Sequence, residues 1–398
     1  MATYLDYNAT TPVDPRVLEA MLPYFREAFG NASSIYSAGQ RARAAVDGAR
    51  ESVARFIGAK PAEIVFTSGG TEADNLALRG IVAASPARGT AGSTRARKHI
   101  IATVIEHHAV LNTCQALEKQ EAEVSFLPVG SDGIVDPDDV GRALTAETVL
   151  ISVMHANNEI GTIQPIEEIG RIAAEADVYF HCDAVQSAGK LPLDVDRLGV
   201  DLLSISAHKI YGPKGVGVLY VRPGTPLEPQ LFGGHHERDR RPGTENVPGI
   251  VGLGKAAELA RAHLKEDADR IAALRDRLEE SLLDSISAVR VNGSRSRRVS
   301  NTTNLTFPNA GGEALLIALD LQGIACSTGA ACSSGAVEPS HVLTAIGLSD
   351  EEARSSLRFS LGRSTTAAEI DEAIAVIPRV VERIRALSPL AAATTTAR

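Results

Sequence analysis

The sequence contains no tryptophan, and aromatic residues make up only 4% of its 398 residues. A platform on which single-stranded nucleic-acid bases stack is therefore not expected. Lysine and arginine total 40 against 49 aspartates and glutamates, and the net charge of −9 argues against nucleic-acid binding through bulk positive charge. Four cysteines are too few for a disulfide scaffold, so we expect a reducing compartment.

Long apolar runs and targeting signals are also missing. No uninterrupted apolar run approaches the length of a membrane span. The first residues carry neither the basic nor the apolar region of a signal peptide. We therefore expect a cytoplasmic protein that interacts with neither membrane nor nucleic acid. A chain of this length can bury a large core without disulfides.

Short apolar runs alternate with helix-length segments through the first half of the chain. This alternation predicts βαβ units and a mostly parallel sheet, in which ligands bind at the C-terminal ends of the strands. The predicted strands are Glu63–Thr67, His99–Thr103, Glu123–Leu127, Thr148–Met154, Val178–Asp183, Asp201–Ser206 and Gly215–Val221. The predicted helices between them include Glu72–Ala84, Ala109–Lys119 and Ile166–Ala174.

A second unit is predicted in the C-terminal third. The helical periodicity of Ile250–Leu283 predicts one long helix, and another α/β portion follows and ends in the helix Ala367–Leu387. We place a boundary near residue 255. The large domain is predicted over residues 15–255, and the small domain over residues 1–14 and 256–398. The small, polar and basic segment Ser85–Arg97 is predicted to be a surface loop.

Three strand ends carry residues that together suit a phosphorylated aldehyde cofactor. The glycine-containing turn Thr67–Glu72 enters a helix, and such a turn suits a phosphate. Asp183 and Lys209 each follow an apolar strand. Taken singly, these features also fit turn geometry, a helix N-cap and a solvated lysine. Together they are what pyridoxal phosphate needs, because the lysine binds the aldehyde and the aspartate keeps the pyridine nitrogen protonated.

A histidine and a cysteine are further candidates. His107 follows a predicted strand, and an imidazole there could stack on the pyridine ring or move protons near neutral pH. A metal site is not expected at His107 and His108, because adjacent side chains do not share a face of a helix or strand. Cys332 lies in a loop of glycine, alanine and serine, which favours an exposed nucleophile, although a loop cysteine without function fits equally.

These residues lie in motifs that resemble the cysteine desulfurases of the NifS/IscS type, within the class-V aminotransferase group of fold-type I pyridoxal-phosphate enzymes. The resemblance covers the chain from Tyr4 to about Leu390. It implies an α/β fold with a large, mostly parallel sheet domain and a smaller α/β C-terminal domain. The motifs that carry it are FTSGGTEADN at 66–75, MHANNEIG at 154–161, SAHKIYGPKG at 206–215, RRPGTEN at 240–246, ACSSG at 331–335 and SLRFSLGR at 356–363.

The resemblance implies a role for each matched residue. Lys209 would bind pyridoxal phosphate, His107 would stack on its ring, and Asp183 would pair with the pyridine nitrogen. Other cofactor contacts are implied for Gly70, Thr71, Asn158, Gln186, Ser206 and His208.

Substrate and subunit contacts are implied in the same way. Arg358 would bind the substrate carboxylate through its bidentate fork, and Asn31 would help close the cavity. Thr244 would reach the phosphate of the partner subunit, which implies a homodimer. The residues give no metal site.

The implied reaction removes sulfur from L-cysteine, releases L-alanine and leaves a persulfide on Cys332. The cysteine loop resembles the longer-loop subtype, which passes sulfur to scaffold and carrier proteins. This implies a part in iron–sulfur cluster assembly, with tRNA thiolation as a further destination. The alternatives are a selenocysteine lyase or another class-V enzyme, and a non-catalytic dimer that binds sulfur-trafficking partners.

The sequence departs from the family pattern at two positions. Tyr36 stands where family members often have a histidine, which leaves a proton-handling role there open. Cys326 is an additional cysteine, which we interpret as a small packed side chain. A protective disulfide with Cys332 is the alternative.

Overall fold

The computed structural model describes residues 3–85, 97–120, 122–329 and 338–387. Its strands are β1 Thr3–Tyr4, β2 Ile64–Thr67, β3 His99–Thr103, β4 Glu123–Leu127, β5 Thr148–Ser152, β6 Tyr179–Asp183, β7 Leu202–Ser206, β8 Gly217–Val221, β9 Arg290–Val291, β10 Thr302–Thr306, β11 Ile324–Ala325 and β12 Ser356–Ser360. Its α-helices are α1 Pro15–Met21, α2 Pro23–Arg26, α3 Ser37–Ile57, α4 Gly70–Ala84, α5 His108–Glu118, α6 Pro137–Ala143, α7 Ile166–Glu175, α8 Val195–Leu198, α9 Val247–Ser285, α10 Gly312–Asp320, α11 His341–Ala345, α12 Asp350–Arg354 and α13 Ala367–Leu387.

A central sheet of seven strands has the order β2-β8-β7-β6-β5-β3-β4. Neighbours from β7 to β4 pair in parallel, and β8 runs antiparallel to both β2 and β7. The predicted α/β fold with a mostly parallel sheet is therefore confirmed. Each predicted strand of this sheet is present, with its ends shifted by no more than two residues. The parallel strands end at one edge of the sheet, and this edge carries the residues of interest.

Helices cover both faces of this sheet. On one face α3, α7 and the first part of α9 form the largest apolar core, which includes Val46, Ile169 and Leu253. On the other face α4 and α5 pack through Leu78 and Val110. A separate apolar core lies between β10, β12, α10, α13 and the second part of α9. Residues 86–96 of the predicted surface loop lie outside the described residues.

Helix α9 joins the two cores. It begins after Asn246, whose Oδ1 accepts the N–H of Gly249 at 3.1 Å, and it continues for 39 residues. Its buried residues up to Ala260 belong to the large core, and those from Ile271 onward belong to the small core. The predicted boundary near residue 255 therefore falls inside a continuous helix, and the division into two domains there stays a prediction.

Each helix in the part of the chain that the structure describes is too short or too polar to span a lipid bilayer.

Candidate active site

A cavity of about 550 Å³ opens at the C-terminal edge of the parallel strands. The large sheet forms its floor and walls, and Ser327, Gly329, His341 and Arg358 reach it from the C-terminal third. Most residues singled out in the sequence meet here. They are Gly70, Thr71, His107, Asn158, Asp183, Gln186, Ser206, His208, Lys209 and Arg358.

Lys209 lies in a short 3-10 helix, Ala207–Lys209, directly after β7. Its Nζ donates to the carbonyl oxygens of Asn8 at 2.5 Å and Ala9 at 2.7 Å. Burial lowers the pKa of Lys209 to about 8, and Arg358 contributes to the decrease, whereas Asp6 and Asp183 oppose it. An amine with this pKa is partly neutral at physiological pH and can attack an aldehyde.

Asp183 ends β6 in the floor of the cavity. Its Oδ1 accepts the N–H of Val185 at 2.9 Å, and burial raises the pKa of Asp183 to about 6. Asp74 of α4 lines the same cavity, and burial, together with the charge of Asp183, raises its pKa well above the usual range. Its buried Oδ1 has no hydrogen-bond partner among the described residues, and His181 Nε2 lies 3.5 Å from it. The raised pKa favours the neutral form of Asp74, whereas Asp183, with a pKa of about 6, is mostly ionised near neutral pH and favours a cationic ligand group.

The wall next to Asp183 contains the start of α4. The first N–H groups of this helix have no partner within the helix, and they form a natural anion site. Gly70 lines the cavity here, and a Cβ on it would lie 2.8 Å from Val185 Cγ2. Ser206 and His208 face the same space, and the His208 Nδ1 lies 3.1 Å from Thr10 Oγ1.

His107 is the N-cap of α5 and faces the open space of the cavity. Its Nδ1 accepts the N–H of Ala109 at 3.1 Å, so the neutral ring carries its hydrogen on Nε2. Desolvation lowers the pKa of His107 to about 4, and His108, Lys209 and His341 add to this decrease. The ring is therefore neutral at physiological pH and can lie against an aromatic ligand.

A second pair of imidazoles lines the cavity. The rings of His108 and His341 form a T-shaped contact with centroids 4.9 Å apart. His341 Nε2 donates to the carbonyl oxygen of Glu106 at 3.0 Å. Burial lowers the pKa of both histidines. The charge of His341 lowers the pKa of His108 further, whereas the hydrogen bond to Glu106 opposes the decrease at His341.

Arg358 of β12 approaches from the opposite wall. Its Nη2 donates to Asp6 Oδ1 at 2.6 Å and its Nη1 donates to the carbonyl oxygen of Asn158 at 2.9 Å. Its Nε is buried and has no partner among the described residues. A guanidinium group that is held in this way is suited to bind a carboxylate.

Gln186 is held by two polar neighbours. Its Nε2 donates to the carbonyl oxygen of Asn8 at 3.0 Å, and its Oε1 accepts from Lys190 Nζ at 2.8 Å. Burial lowers the pKa of Lys190 well below its usual range, and Lys209 and Arg358 act in the same direction. This network fixes the position of the Gln186 amide in the cavity wall.

Two predicted site residues lie outside the wall of this cavity. Asn31 and Thr244 are exposed, and Asn31 Oδ1 accepts the N–H of Ser33 at 2.8 Å. Neither residue lines the cavity of its own chain, and their roles stay predictions. Tyr36, in the place of the family's histidine, is also exposed and precedes α3 without capping it through its side chain.

The cysteines divide into two groups. Cys332 lies outside the described residues, and with it the alternative of a Cys326–Cys332 disulfide. Cys326 is buried in the small core, where burial raises its pKa to about 12. Cys114 and Cys182 are buried as well. Among the described residues no group of three His, Cys, Asp or Glu side chains could hold a metal ion.

Sequence reasoning missed several residues of the cavity wall. Asp74 and Glu159 lie inside the quoted motifs, and Asn8 lies near the start of the resemblance at Tyr4. The motifs do not show that the side chains of these residues face the cavity. No motif or pattern in the sequence indicated that His341 lies in the cavity wall. Its approach to His108 depends on how the C-terminal third folds over the sheet.

Comparisons with known proteins show which family this chain is similar to. The chain matches the family described as aminotransferase class-V over residues 3–373. It is 51% identical over 386 residues, 97% of this chain and 96% of the relative, to a protein named cysteine desulfurase IscS from Dictyoglomus turgidum. A solved NifS-like protein has a TM-score of 0.88 and 38% identity, with 96% of this chain and 100% of that chain covered.

A second solved structure is described as SspA in complex with cysteine. It has a TM-score of 0.79 and 39% identity, and the match covers 91% of this chain and 99% of that chain. The two solved structures share the fold of this chain over nearly its whole length. The chain therefore belongs to the class-V aminotransferase family and, within it, to the cysteine desulfurases of the NifS/IscS type.

Proposed function

We propose that this enzyme uses pyridoxal phosphate at Lys209 to remove sulfur from L-cysteine, releases L-alanine and carries the sulfur as a persulfide on Cys332. The observation that supports this most is the position of Lys209. Its partly neutral amine shares one cavity with the Asp183 carboxylate, the start of α4 and the Arg358 guanidinium. These groups match the aldehyde, the pyridine nitrogen and the phosphate of the cofactor and the carboxylate of the substrate.

The residues of the cavity fit this cofactor. Asp183, which is mostly ionised near neutral pH, favours a cationic pyridine nitrogen. A Cβ on Gly70 would lie 2.8 Å from Val185 Cγ2, so this turn requires glycine, and the first N–H groups of α4 beside it could receive a phosphate. The proposed phosphate contacts are Gly70, Thr71, Ser206 and His208, and the proposed contacts on the phenolic oxygen side are Asn158 and Gln186.

Each of these residues would have its own role in the reaction. When bound, pyridoxal phosphate withdraws electrons from the Cα of the substrate. Arg358 orients the carboxylate, and Lys209 Nζ accepts the proton from Cα. The Cys332 thiolate then attacks the sulfur of the substrate, so that an S–S bond forms while the Cβ–S bond breaks. The electron pair of that bond stays with Cβ, which is protonated, and Lys209 Nζ returns a proton to Cα, so that L-alanine is released.

The test is an assay of the purified holoenzyme with L-cysteine and a reductant. We expect a visible absorption band from the lysine-bound cofactor and the release of alanine and sulfide in equal amounts. Cys332→Ser should keep the band and lose sulfide release. If the native enzyme shows the band but releases no sulfide, its substrate is another amino acid and the proposed reaction is wrong. The absence of a band after addition of pyridoxal phosphate would overturn the proposal as a whole.

We also propose a homodimer that delivers sulfur to an iron–sulfur scaffold or a sulfur-carrier protein. The support for the dimer is that Thr244 and several large apolar side chains near α1 and α2 are exposed. Leu18 lies on α1, Phe25 lies on α2, Leu22 lies between the two helices, and Phe29 follows α2. Sedimentation of the native enzyme tests the dimer, and transfer of labelled sulfur to a purified scaffold or carrier protein tests the acceptor.

A further inference from the structure

Lys190 forms a closed ring of hydrogen bonds with Gln186 and Asn8 at the wall of the candidate active site. Lys190 Nζ donates to Gln186 Oε1 at 2.8 Å and to Asn8 Oδ1 at 3.1 Å. Gln186 Nε2 donates to the carbonyl oxygen of Asn8 at 3.0 Å and so closes the ring. Asn8 and Gln186 line the cavity, whereas Lys190 lies outside its wall.

The ring admits only one orientation of the Gln186 amide. Lys190 Nζ donates to both of its partners in the ring, so it requires an oxygen at Gln186. In the opposite orientation, Gln186 Oε1 would face the carbonyl oxygen of Asn8, and two acceptors would meet without a hydrogen between them. The amide nitrogen therefore donates one hydrogen to Asn8 and keeps its second hydrogen for another acceptor.

The ring does not depend on a charged Lys190. Burial lowers the pKa of Lys190 well below its usual range, and the charges of Lys209 and Arg358 act in the same direction. A neutral amine still carries two hydrogens, which is the number that the ring uses. Lys190 therefore serves as a hydrogen-bond donor at a fixed position rather than as a charge.

Asn8 is held in place from the C-terminal third of the chain as well as by the ring. Its N–H donates to Ser360 Oγ at 3.0 Å, and its Nδ2 donates to Thr302 Oγ1 at 2.8 Å. Its Oδ1 also accepts from Asn301 Nδ2 at 2.9 Å. Because Asn8 is buried, a shift of this residue would leave several polar atoms without partners. The ring is thus attached to a fixed point.

Asn8 also contacts other residues that are proposed to bind the cofactor or the substrate. Its carbonyl oxygen accepts from Lys209 Nζ at 2.5 Å, in addition to Gln186. Its Nδ2 donates to the carbonyl oxygen of Asn158 at 3.1 Å, and Arg358 Nη1 donates to the same oxygen at 2.9 Å. The ring therefore belongs to the framework on which the proposed binding residues are mounted.

We infer that Lys190 is a positioning residue of the active site, which holds the Gln186 amide with its nitrogen as the donor for the cofactor. The inference rests on the proposed function, in which Gln186 contacts the phenolic oxygen side of pyridoxal phosphate. An ionised phenolic oxygen only accepts hydrogen bonds, so the nitrogen end of the amide suits it. Lys190 thus affects cofactor affinity without touching the cofactor.

A double-mutant cycle on cofactor affinity tests this inference. Lys190→Met removes both donors but keeps the length of the side chain, and Gln186→Ala removes the amide. The empty native protein, the two single variants and the double variant are each titrated with pyridoxal phosphate, and visible absorption gives the dissociation constants. Lys119→Met is the control and should bind as native protein does, because Lys119 is exposed at the end of α5 and does not line the cavity.

If Lys190 acts through Gln186, its loss should have no further effect once Gln186 is absent. We expect Gln186→Ala and the double variant to bind about tenfold more weakly than native protein, as for the loss of one hydrogen bond. Lys190→Met alone should bind about threefold to tenfold more weakly. Additive effects, with a double variant about 30-fold to 100-fold weaker, would overturn the inference, because Lys190 would then act independently of Gln186.

The pH profile of cofactor attachment distinguishes position from charge. Lys190→Met should leave this profile unchanged, and a shifted profile would contradict the inference, because Lys190 would then act on Lys209 by its charge. If Lys190→Met does not fold, Asn8→Ala, which opens the ring at Oδ1 but keeps the carbonyl oxygen, takes its place in the cycle. Since the cycle measures binding, native protein that binds pyridoxal phosphate without releasing sulfide would contradict the proposed reaction only.

Discussion

Burial and neighbouring charges lower the pKa of the Lys209 amine and so determine its reactivity. The pKa falls to about 8 from 10.5 in water. Because only the neutral amine attacks an aldehyde, the rate of cofactor attachment to the empty protein should rise with pH and level off above about pH 8. Stopped-flow absorbance over a range of pH measures this rate.

The neighbour that contributes most to this decrease after burial is Arg358. Arg358→Gln removes a like charge, and the pKa of Lys209 should therefore rise. The pH profile of cofactor attachment should move to higher pH. Arg354→Gln, on the neighbouring exposed helix α12, serves as the control. An unmoved profile in Arg358→Gln would show that burial alone sets this pKa.

Glu106 allows the effect of burial on the pKa of a carboxyl group to be tested in the absence of the cofactor. Its Oε1 accepts hydrogen bonds from Thr103 Oγ1 at 2.6 Å and Met154 N at 3.0 Å, and its buried Oε2 has no partner among the described residues. Burial raises the pKa of Glu106 to about 8. The folded state thus binds this proton more tightly than the unfolded state, and stability is lost as pH rises from about 4.5 to about 8.

Glu106→Gln removes this titration but keeps the size of the side chain and the Oε1 acceptor. Its free energy of unfolding relative to native protein should increase by about 3 kcal/mol between about pH 5 and about pH 8. Urea unfolding at both pH values measures the difference. Glu118→Gln, at the exposed end of α5, should show no comparable change. A constant difference between native protein and Glu106→Gln would mean that Glu106 ionises normally.

Among the helices, α3 and α9 approach each other closely because both present small residues. A Cβ on Gly254 of α9 would lie 2.7 Å from Ala49 Cα and Cβ on α3. Gly254→Ala should therefore reduce the free energy of unfolding by about 1–3 kcal/mol, since the helices would have to separate. Gly48→Ala on α3, where nothing lies within 4 Å, should instead stabilise by about 0.5–1 kcal/mol. Urea unfolding of both variants measures these changes. Equal effects of the two substitutions on the free energy of unfolding would contradict the close packing of α3 and α9.

The elements themselves were largely predictable. Apolar periodicity predicted the strands of the central sheet and the long helix, because buried faces repeat with the period of the backbone. The same periodicity could not show that the two parts of α9 belong to different cores. A pattern along one helix reports which face is apolar, but not which element covers that face.

In the whole molecule, α9 and Arg363 connect the two cores. Arg363 Nε donates to Asp267 Oδ2 on α9 at 2.7 Å, its guanidinium lies over the ring of Tyr211, and its Nη1 lies 3.4 Å from Asp14 Oδ2. We expect both cores to unfold together. Leu278→Ala, deep in the small core, should destabilise by about 2–5 kcal/mol and accelerate hydrogen exchange equally in β6 of the large core.

Ile317→Ala on the exposed face of α10 is the control for this experiment and should leave exchange in β6 unchanged. Faster exchange confined to the small core in Leu278→Ala would mean that the cores unfold independently.

The whole molecule also explains what sequence reasoning could not supply at the site. Lys209, Asp183 and His107 were predictable because each follows a recognisable strand. The carbonyl oxygens of Asn8 and Ala9 that receive Lys209 Nζ lie 200 residues away in sequence, so only the fold brings them there. Thr244 shows the opposite case, since it lies in a clear motif at 240–246 but is exposed and does not line the cavity of its own chain.

The cap that His107 provides limits its acid–base chemistry. Its Nδ1 lone pair is used by the Ala109 N–H and its Nε2 carries the hydrogen, so the neutral ring has no free lone pair to accept a proton. For His107 to act as a base, α5 must first release its N-terminal hydrogen bond. Proton uptake by His107 would then be coupled to fraying of the first turn of α5. Each catalytic cycle that protonates His107 would therefore change the backbone conformation at the start of this helix.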